Sequence, residues 1–302
     1  SYVLLRRYLG RGKGVAVKSH PDIDRNYVRK VKELNADYIF VLDRHTLGKE
    51  FVDEVKIFGI PIVWIDHHEA DDSEYDYNNI HRFNPIYSEN KSSEPTTFLC
   101  YSATKRKEDI WIALIGCIAD NYLPDFVGYF KDNYPEYWGK KVEKAFDGLY
   151  GTGIGRMARA LSFGLKDSLT HVVQLQNFLI DCRSPNDLEL ELESNKSFGK
   201  KYREILKKYL DLIESAKRIA GGKLLFFSYG GDLSISSDLS NGICYLYPDK
   251  IICVAYTAGP FTNISLRGKN VKKVLMDILP LMDGATGGGH DNAVGARINS
   301  KD

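Results

Sequence analysis

The fold of this 302-residue chain is decided by the stretch Ile60-Pro61-Ile62-Val63-Trp64-Ile65-Asp66-His67-His68. Its first six residues are apolar and have the length of a buried strand. Three side chains that can bind a metal follow where that strand ends. Open α/β sheets carry their ligand sites at the carboxyl ends of their strands. The stretch therefore predicts a buried strand with a functional site at its end.

The residues around this stretch predict alternating strands and helices. Short apolar runs at 15–18, 38–42 and 60–65 have strand length, and the segments 24–34 and 49–58 have helical spacing. This alternation is typical of a parallel sheet covered by helices, so we expect an α/β fold.

The remainder of the chain predicts a helical region and a second, smaller α/β domain. Residues 69–95 are polar and predict a long loop, 110–119 form a buried apolar run, and 140–182 predict helices. A helix at 196–222 stops at Gly221-Gly222. Strands at 224–229, 251–258 and 262–266 and a helix at 271–282 follow. We expect domains at 1–195 and 223–302, a connecting helix between them, and a substrate cleft.

Composition narrows the class of protein. The chain is 43% hydrophobic and 27% charged, with a net charge of +1, so a nucleic-acid ligand would need a local basic groove. No apolar run approaches the roughly 18 residues of a membrane helix, and the amphipathic first residues do not resemble a secretory leader. Five scattered cysteines without a CxxC pair predict free thiols and no zinc knuckle. We expect a cytoplasmic protein with no membrane partner.

Acidic residues end three apolar runs. Asp43 follows the run 38–42, Asp66 follows 60–65, and Asp120 follows 110–119 in the same manner, as if each closed a strand. A lone Asp in such a place is more often a turn or helix cap. Ionised carboxylates after buried runs would be costly without a partner. A metal removes that cost, and oxygen with imidazole ligands favours Mn²⁺.

A second unusual string is Gly287-Gly288-Gly289-His290. Glycines let backbone N–H groups approach a phosphate, and His290 can donate to the same oxygens. Arg267, expected on the loop after the strand 262–266, suits bidentate phosphate contact. The alternative is a flexible hinge and a surface arginine.

Two further candidates have simpler interpretations. His45 lies two residues after Asp43 and fits a loop surface better than a ligand position. The Asp22-Ile23-Asp24 sequence fits a substrate-side loop or a helix cap.

The two motifs together resemble the DHH phosphoesterase family over nearly the whole chain. Asp43, Asp66-His67-His68 and Gly116-Cys117-Ile118-Ala119-Asp120 match three of its metal-site motifs, and the glycine string followed by Asn292-Ala293-Val294-Gly295 matches its associated substrate-binding domain.

The resemblance implies a role for each matched residue. Asp43 would bridge two ions, Mn²⁺ or else Mg²⁺, with His67 and Asp120 binding one of them. Asp66 would support the cluster and His68 would face the scissile phosphate. The two ions would activate water and stabilise the leaving oxygen.

The family's first motif, DxDG, does not precede Asp43 in this sequence. Residues 1–8 resemble the helix that follows this motif. We therefore expect the motif upstream of Ser1, and with it half of the first metal's ligands.

The resulting functional prediction is a RecJ-like exonuclease on single-stranded DNA or RNA, most like small archaeal members. One alternative is an oligoribonuclease or a phosphatase of pAp or of linear or cyclic dinucleotides. Another is an inactive nucleic-acid-binding subunit. A homo-oligomer and a partner from DNA repair or replication both stay open.

Overall fold

The computed structural model describes residues 1–17, 23–69, 77–89, 91–139 and 141–301. The chain divides into two compact units, Ser1–Tyr202 and Arg203–Asp302. The division falls inside one long helix, Ser197–Arg218, so the domain limits expected at 195 and 222 stay a prediction. In the described part of the chain, no helix is long and apolar enough to span a membrane. All five cysteines are free thiols, as the sequence predicted.

Unit 1 contains a small sheet and a large helical region. Its elements in chain order are α1 (Tyr2–Leu9), α2 (Asn26–Glu33), β1 (Ile39–Leu42), α3 (Lys49–Ile57), β2 (Ile62–Ile65), β3 (Ile80–Phe83), α4 (Thr96–Thr104), α5 (Ile110–Ala119), α6 (Val127–Asn133), α7 (Ala145–Gly151), α8 (Gly153–Gly164), α9 (Leu169–Asp181) and α10 (Pro185–Glu193), followed by α11 (Ser197–Arg218).

The sheet of unit 1 is parallel, with strand order β1-β2-β3 and Ile39, Ile62 and Ile80 in register. All three carboxyl ends therefore meet at one edge. Apolar side chains of α2 and α3 pack on one face of the sheet. The predicted α/β class is confirmed. It follows from the alternation of strand-length apolar runs with segments whose apolar residues recur at helical spacing.

Strand β3 corrects the prediction of a continuous loop over 69–95. This strand has only four residues, and two of them, His81 and Arg82, are polar. The sequence therefore shows no apolar run of strand length there. The strand predicted at 15–18 is also wrong as far as it is described, since residues 15–17 have no regular structure and Lys18 lies outside the described residues.

The apolar run 110–119 is helix α5 and not a strand. Eight of its ten residues are buried because it packs against α4, α7 and α8. A helix buried on all sides shows no amphipathic period, so its pattern resembles that of a buried strand. Asp120 consequently follows a helix.

Unit 2 contains a five-stranded mixed sheet. Its elements after α11 are β4 (Leu224–Gly230), α12 (Ser236–Leu246), β5 (Ile251–Ala258), β6 (Phe261–Arg267), α13 (Val271–Ile278), β7 (Thr286–His290) and β8 (Ala293–Asn299).

The strand order in unit 2 is β4-β5-β6-β8-β7, with only β4 and β5 parallel. The glycine string is strand β7, paired with β8, and not a hinge. Arg267 is the last residue of β6, which corrects its expected loop position. Helix α13 stops at Ile278, before the predicted 282, and a 3₁₀ turn containing Pro280 follows.

Candidate active site

The loops after β1 and β2 bring three potential ligands together. Leu42 and Ile65 are in register at the ends of these strands, so Asp43 and the Asp66–His68 segment leave the sheet side by side. One ligand atom from each of Asp43, His67 and His68 lies within 4.8 Å of the others. The cluster is therefore a direct product of the parallel sheet's register.

Asp43 occupies a strained backbone position. Its φ is +60°, in the left-handed region that non-glycine residues rarely adopt. Its N–H donates to the carbonyl of Ile65 at 3.0 Å, and its Oδ1 accepts from Thr96 Oγ1 at 3.2 Å. These bonds hold the carboxylate at the sheet edge, and such retained strain is typical of functional sites.

His67 is the main group that lowers the pKa of Asp43. The distance from His67 Nε2 to Asp43 Oδ1 is 3.5 Å. Desolvation raises the pKa of Asp43. The hydrogen bond and charge of His67, together with His68 and Thr96, lower it by a larger amount. The net pKa lies below the ordinary value, so this carboxylate is ionised at neutral pH and able to bind a cation.

Asp66 holds His68 from behind. Its side chain is fully buried and accepts from His68 Nδ1–H at 2.9 Å and from the His68 backbone N–H at 3.1 Å. The hydrogen bond to Asp66 raises the pKa of His68, partial burial opposes this, and nearby acidic charges add to it. A carboxylate that fixes the ring of a ligating or catalytic histidine is common around metal sites.

Two supporting residues were missed by sequence reasoning. Thr96, at the start of α4, donates to Asp43 as described above. Asn84, just after β3, donates from Nδ2 to the His68 carbonyl at 2.9 Å. Polar residues next to Pro85 and Pro95 are ordinary in turns and helix starts, so only their position after a third strand could have marked them.

Asp120 interacts electrostatically with the cluster but is not part of the close trio. It is an exposed residue at the end of α5, yet protein atoms closely surround its carboxyl group. This desolvation and the charge of Asp43 raise the pKa of Asp120 to about 6, while His67 lowers it. Two carboxylates thus repel each other here, and a cation would relieve that repulsion.

His45 and Asp24 are not members of the trio. His45 is exposed, and its ring centroid is 6.3 Å from that of His68. Asp22 lies outside the described residues. Asp24 accepts from the Asn26 backbone N–H at 2.9 Å, just before α2, which suits the helix-cap interpretation.

The donor set of unit 1 fits a first-row divalent cation. Asp43 and Asp120 supply oxygen, and His67 and His68 supply imidazole nitrogen. Burial raises the pKa of the thiols Cys100 and Cys117. The negative charge of Asp43 raises that of Cys100 as well, and the charge of Asp120 raises that of Cys117. Neutral thiols are poor ligands, so the site offers no thiolate to select zinc.

Arg267 of unit 2 is held against helix α12. Its Nε donates to Asn241 Oδ1 at 2.5 Å and its Nη2 to Ser237 Oγ at 2.9 Å. Its Nη1 donates to the Val294 carbonyl at 3.2 Å. The guanidinium is therefore oriented before any ligand arrives.

The glycine string places His290 on the same face as Arg267. Arg267, Ala293 and His290 form one register row across β6, β8 and β7, and Ser265, Gly295 and Gly288 form a second. Successive rows point to opposite faces, so these two rows, which are two residues apart on each strand, share a face. We call Arg267, Gly288, His290, Ala293 and Gly295 the glycine cradle.

The glycines of β7 have two different reasons to be glycine. A Cβ atom at Gly287 would lie 2.7 Å from the Gly295 carbonyl oxygen, and one at Gly289 would lie 2.5 Å from that of Ala293. A Cβ at Gly288 would meet nothing within 4 Å. Gly287 and Gly289 are thus required by pairing with β8, whereas Gly288 leaves exposed backbone in the cradle.

Comparison with known proteins relates the fold to RecJ. No family model and no curated protein matches the chain. RecJ from Thermus thermophilus in complex with Mn²⁺ superimposes with a TM-score of 0.66 at 13% identity, covering 99% of this chain and 47% of RecJ. RecJ of the same organism with Mg²⁺ gives 0.55 at 14% identity, covering 91% and 44%. The chain has the RecJ fold and spans about half of RecJ's length.

Proposed function

We propose that this protein is a metal-dependent phosphodiesterase of the DHH family that removes nucleotides from single-stranded DNA or RNA. The observation that carries the proposal is the convergence of Asp43, His67 and His68 within 4.8 Å at the carboxyl edge of a parallel sheet. The RecJ fold and the glycine cradle in the same chain support it. The strain at Asp43 argues against an inactive binding subunit, which would gain nothing from keeping it.

The cations would be Mn²⁺ or Mg²⁺, the ions named in the two RecJ structures. Asp43, His67 and Asp120 would bind them, with two ions in the complete site. Bound cations would supply charge neutralisation of the phosphate and of the leaving oxygen.

The residues of this chain have separate tasks in hydrolysis. Asp66 accepts from His68 Nδ1–H, so the ring would meet the phosphate through Nε2, which donates to a phosphate oxygen when the ring is protonated. Asn84 fixes the His68 backbone and Thr96 fixes Asp43. In unit 2, the glycine cradle would bind a phosphate through Arg267, His290 and the backbone at Gly288. Unit 1 would cut and unit 2 would hold the substrate.

The short cradle favours a second candidate function. Its two rows, with Arg267 and Gly288 as the one arginine and the one glycine of β7 in them, suit one or two phosphates better than a long strand. An oligoribonuclease, or a phosphatase of pAp or dinucleotides, would need no more than this.

A degradation assay separates these functions. Oligomers of DNA and RNA of increasing length, labelled at either end, are incubated with Mn²⁺ and either the parent protein or Asp43→Ala. Stepwise shortening of long strands supports the exonuclease, and cleavage confined to the shortest oligomers supports the second function. Absence of metal-dependent cleavage at every length, in a protein that binds Mn²⁺ by calorimetry, would refute both.

A further inference from the structure

Three side chains from β2, β3 and the turn after β3 form a stack in unit 1. The Arg82 guanidinium carbon lies 4.6 Å from the Trp64 ring centroid and 4.5 Å from that of Tyr87. Trp64 is fully buried, whereas 53% of Tyr87 is exposed. The stack therefore begins in the core of unit 1 and ends in an aromatic ring at the surface, with a cation behind it.

The turn that carries Tyr87 is firmly held. Tyr87 ends a 3₁₀ turn, Pro85–Tyr87, which Asn84 caps by accepting from the Ile86 N–H at 3.1 Å. Ser88 Oγ donates back to the Pro85 carbonyl at 2.6 Å. With the backbone fixed and Arg82 behind the ring, little side-chain freedom is left to lose on binding a ligand.

Trp64 and the residue that precedes the turn of Tyr87 are each hydrogen-bonded to a loop of the cluster. Trp64 Nε1–H donates to the carbonyl of Arg44, the residue after Asp43, at 2.7 Å. Asn84, where the turn begins, donates to the carbonyl of His68. A 3₁₀ turn rises about 2 Å per residue, so Tyr87 lies only about 6 Å along the chain from Asn84.

We propose that Tyr87 is a stacking platform for a nucleobase next to the scissile phosphate. This inference rests on the proposed function and adds to it a named base-binding residue in unit 1. An exposed, pre-oriented ring near a phosphate site has the chemistry that single-stranded nucleic acid requires. Because every base presents a π face, the platform confers affinity with little base preference.

The test compares oligomers with and without a terminal base. Binding is measured in Ca²⁺ by fluorescence anisotropy, using strands that carry either 2-aminopurine or an abasic residue at one end or the other. Tyr87→Ala should weaken binding of the base-bearing strand about 5- to 100-fold and abolish quenching of 2-aminopurine. The abasic strand should bind the parent and the variant equally.

Matched variants separate stacking from folding. Tyr87→Phe should stay within about twofold of the parent, because the ring is what stacks. Tyr38→Ala is the control, since Tyr38 is 60% exposed and precedes β1 at the opposite edge of the sheet. Tyr87→Leu, which keeps apolar cover over Arg82, replaces Tyr87→Ala if the latter does not fold. Mn²⁺ affinity should be unchanged in all of them.

Each result decides something different. Unchanged binding in Tyr87→Ala, or equal losses for base-bearing and abasic strands, would overturn the inference about Tyr87. The proposed function would still stand in that case if the parent protein cleaves oligomers normally. A parent protein that binds Mn²⁺ but neither binds nor cleaves any oligomer would overturn both.

Discussion

Asp66 and His68 are joined twice: the buried carboxylate accepts from the ring Nδ1–H at 2.9 Å and from the backbone N–H at 3.1 Å. The two bonds fix both the ring and the backbone of His68. They also determine the tautomer, since an ionised carboxylate can only accept. The neutral ring then carries its lone pair on Nε2, which can bind a metal. A contact with a phosphate oxygen, which only accepts, needs Nε2 protonated as well.

Asp66→Asn tests this arrangement with almost no change of shape. The amide can donate to Nδ1 and so stabilise the opposite tautomer. We expect a 10- to 100-fold loss of metal affinity or of hydrolysis, the usual size for such supporting residues, with the fold retained. Calorimetric Mn²⁺ titration and an oligonucleotide assay measure both quantities.

The chain offers a matched control for that substitution. Asp167 also pairs with a histidine, His171, at 2.9 Å, but between residues that are more exposed. Asp167→Asn should leave metal affinity and hydrolysis unchanged. Equal behaviour of Asp66→Asn and Asp167→Asn would show that the buried pair has no role in the site.

Asp43 is expected to trade stability for function. Asp43→Ala should abolish metal-dependent hydrolysis, because it removes the carboxylate proposed to bind the cations. Asp43→Gly should abolish it equally, yet be more stable than Asp43→Ala by about 1 kcal/mol, since glycine adopts φ of +60° without strain. Thermal unfolding of the metal-free variants gives the comparison. Full activity in either folded variant would remove Asp43 from the site.

The sequence predicted those elements whose buried residues form a regular local pattern of apolar side chains. Strand β2 is an apolar run ended by Asp66, and α3 has apolar residues at helical spacing, so both were predicted. Helix α5 was not distinguished from a strand because burial on all sides erases the period. Strand β3 was missed because Arg82 is accommodated by Trp64 and Tyr87, contacts that no local pattern announces.

The site shows the same division. Asp43 and His67 follow apolar runs that the local pattern identifies as strands. Their convergence could therefore be expected from a parallel sheet. Thr96 and Asn84 join the site through tertiary hydrogen bonds. Gly287 and Gly289 lie close to the backbone of β8, whereas Gly288 faces open space. This difference depends on the position of β8 and cannot be predicted from the glycine string alone.

Arg7 and Asp109 form an ion pair that anchors helix α1. Arg7 Nε donates to Asp109 Oδ1 at 2.7 Å, and its Nη1 donates to the carbonyls of Ile180 at 2.8 Å and Cys182 at 2.5 Å. Asp109 is fully buried. Burial raises its pKa, although Arg7 and Arg106 oppose the shift. The folded protein therefore holds this proton more tightly than the unfolded chain, whose Asp pKa is about 3.9.

Asp109→Asn should consequently change the pH dependence of stability. The stabilisation that a raised pKa provides is present below the unfolded value and is lost as pH rises through the folded value. An amide does not titrate, so the free energy of unfolding of Asp109→Asn should fall less than that of the parent over this range. Denaturant unfolding at a series of pH values measures both curves. An unchanged pH profile would contradict the assignment.

Gly288 and Gly289 should respond in opposite ways to alanine. Gly288→Ala adds a methyl group to open space, so the fold should be unaffected or slightly stabilised, while phosphate binding in the cradle weakens. Gly289→Ala places a side chain at φ of +137° and 2.5 Å from the Ala293 carbonyl oxygen, so it should destabilise unit 2 by more than about 1 kcal/mol. Melting curves and oligomer affinity separate the two effects. Loss of stability in Gly288→Ala, with affinity retained, would place the cradle's ligand elsewhere.

Arg267 is expected to contribute to both structure and binding, and salt dependence can separate the two. Its contacts to Ser237 and Asn241 orient the guanidinium in the glycine cradle, so Arg267→Ala should lower stability and also weaken oligomer binding by about 1.5–3 kcal/mol. The loss should be steepest for short substrates, which have few other contacts. If a phosphate contact is removed, the slope of log affinity against log salt should fall by about 0.7 for a single strand. Asn241→Ala keeps the charge, so it should weaken binding less and preserve the slope. A slope unchanged in Arg267→Ala, across oligomer lengths, would mean that Arg267 only ties β6 to α12.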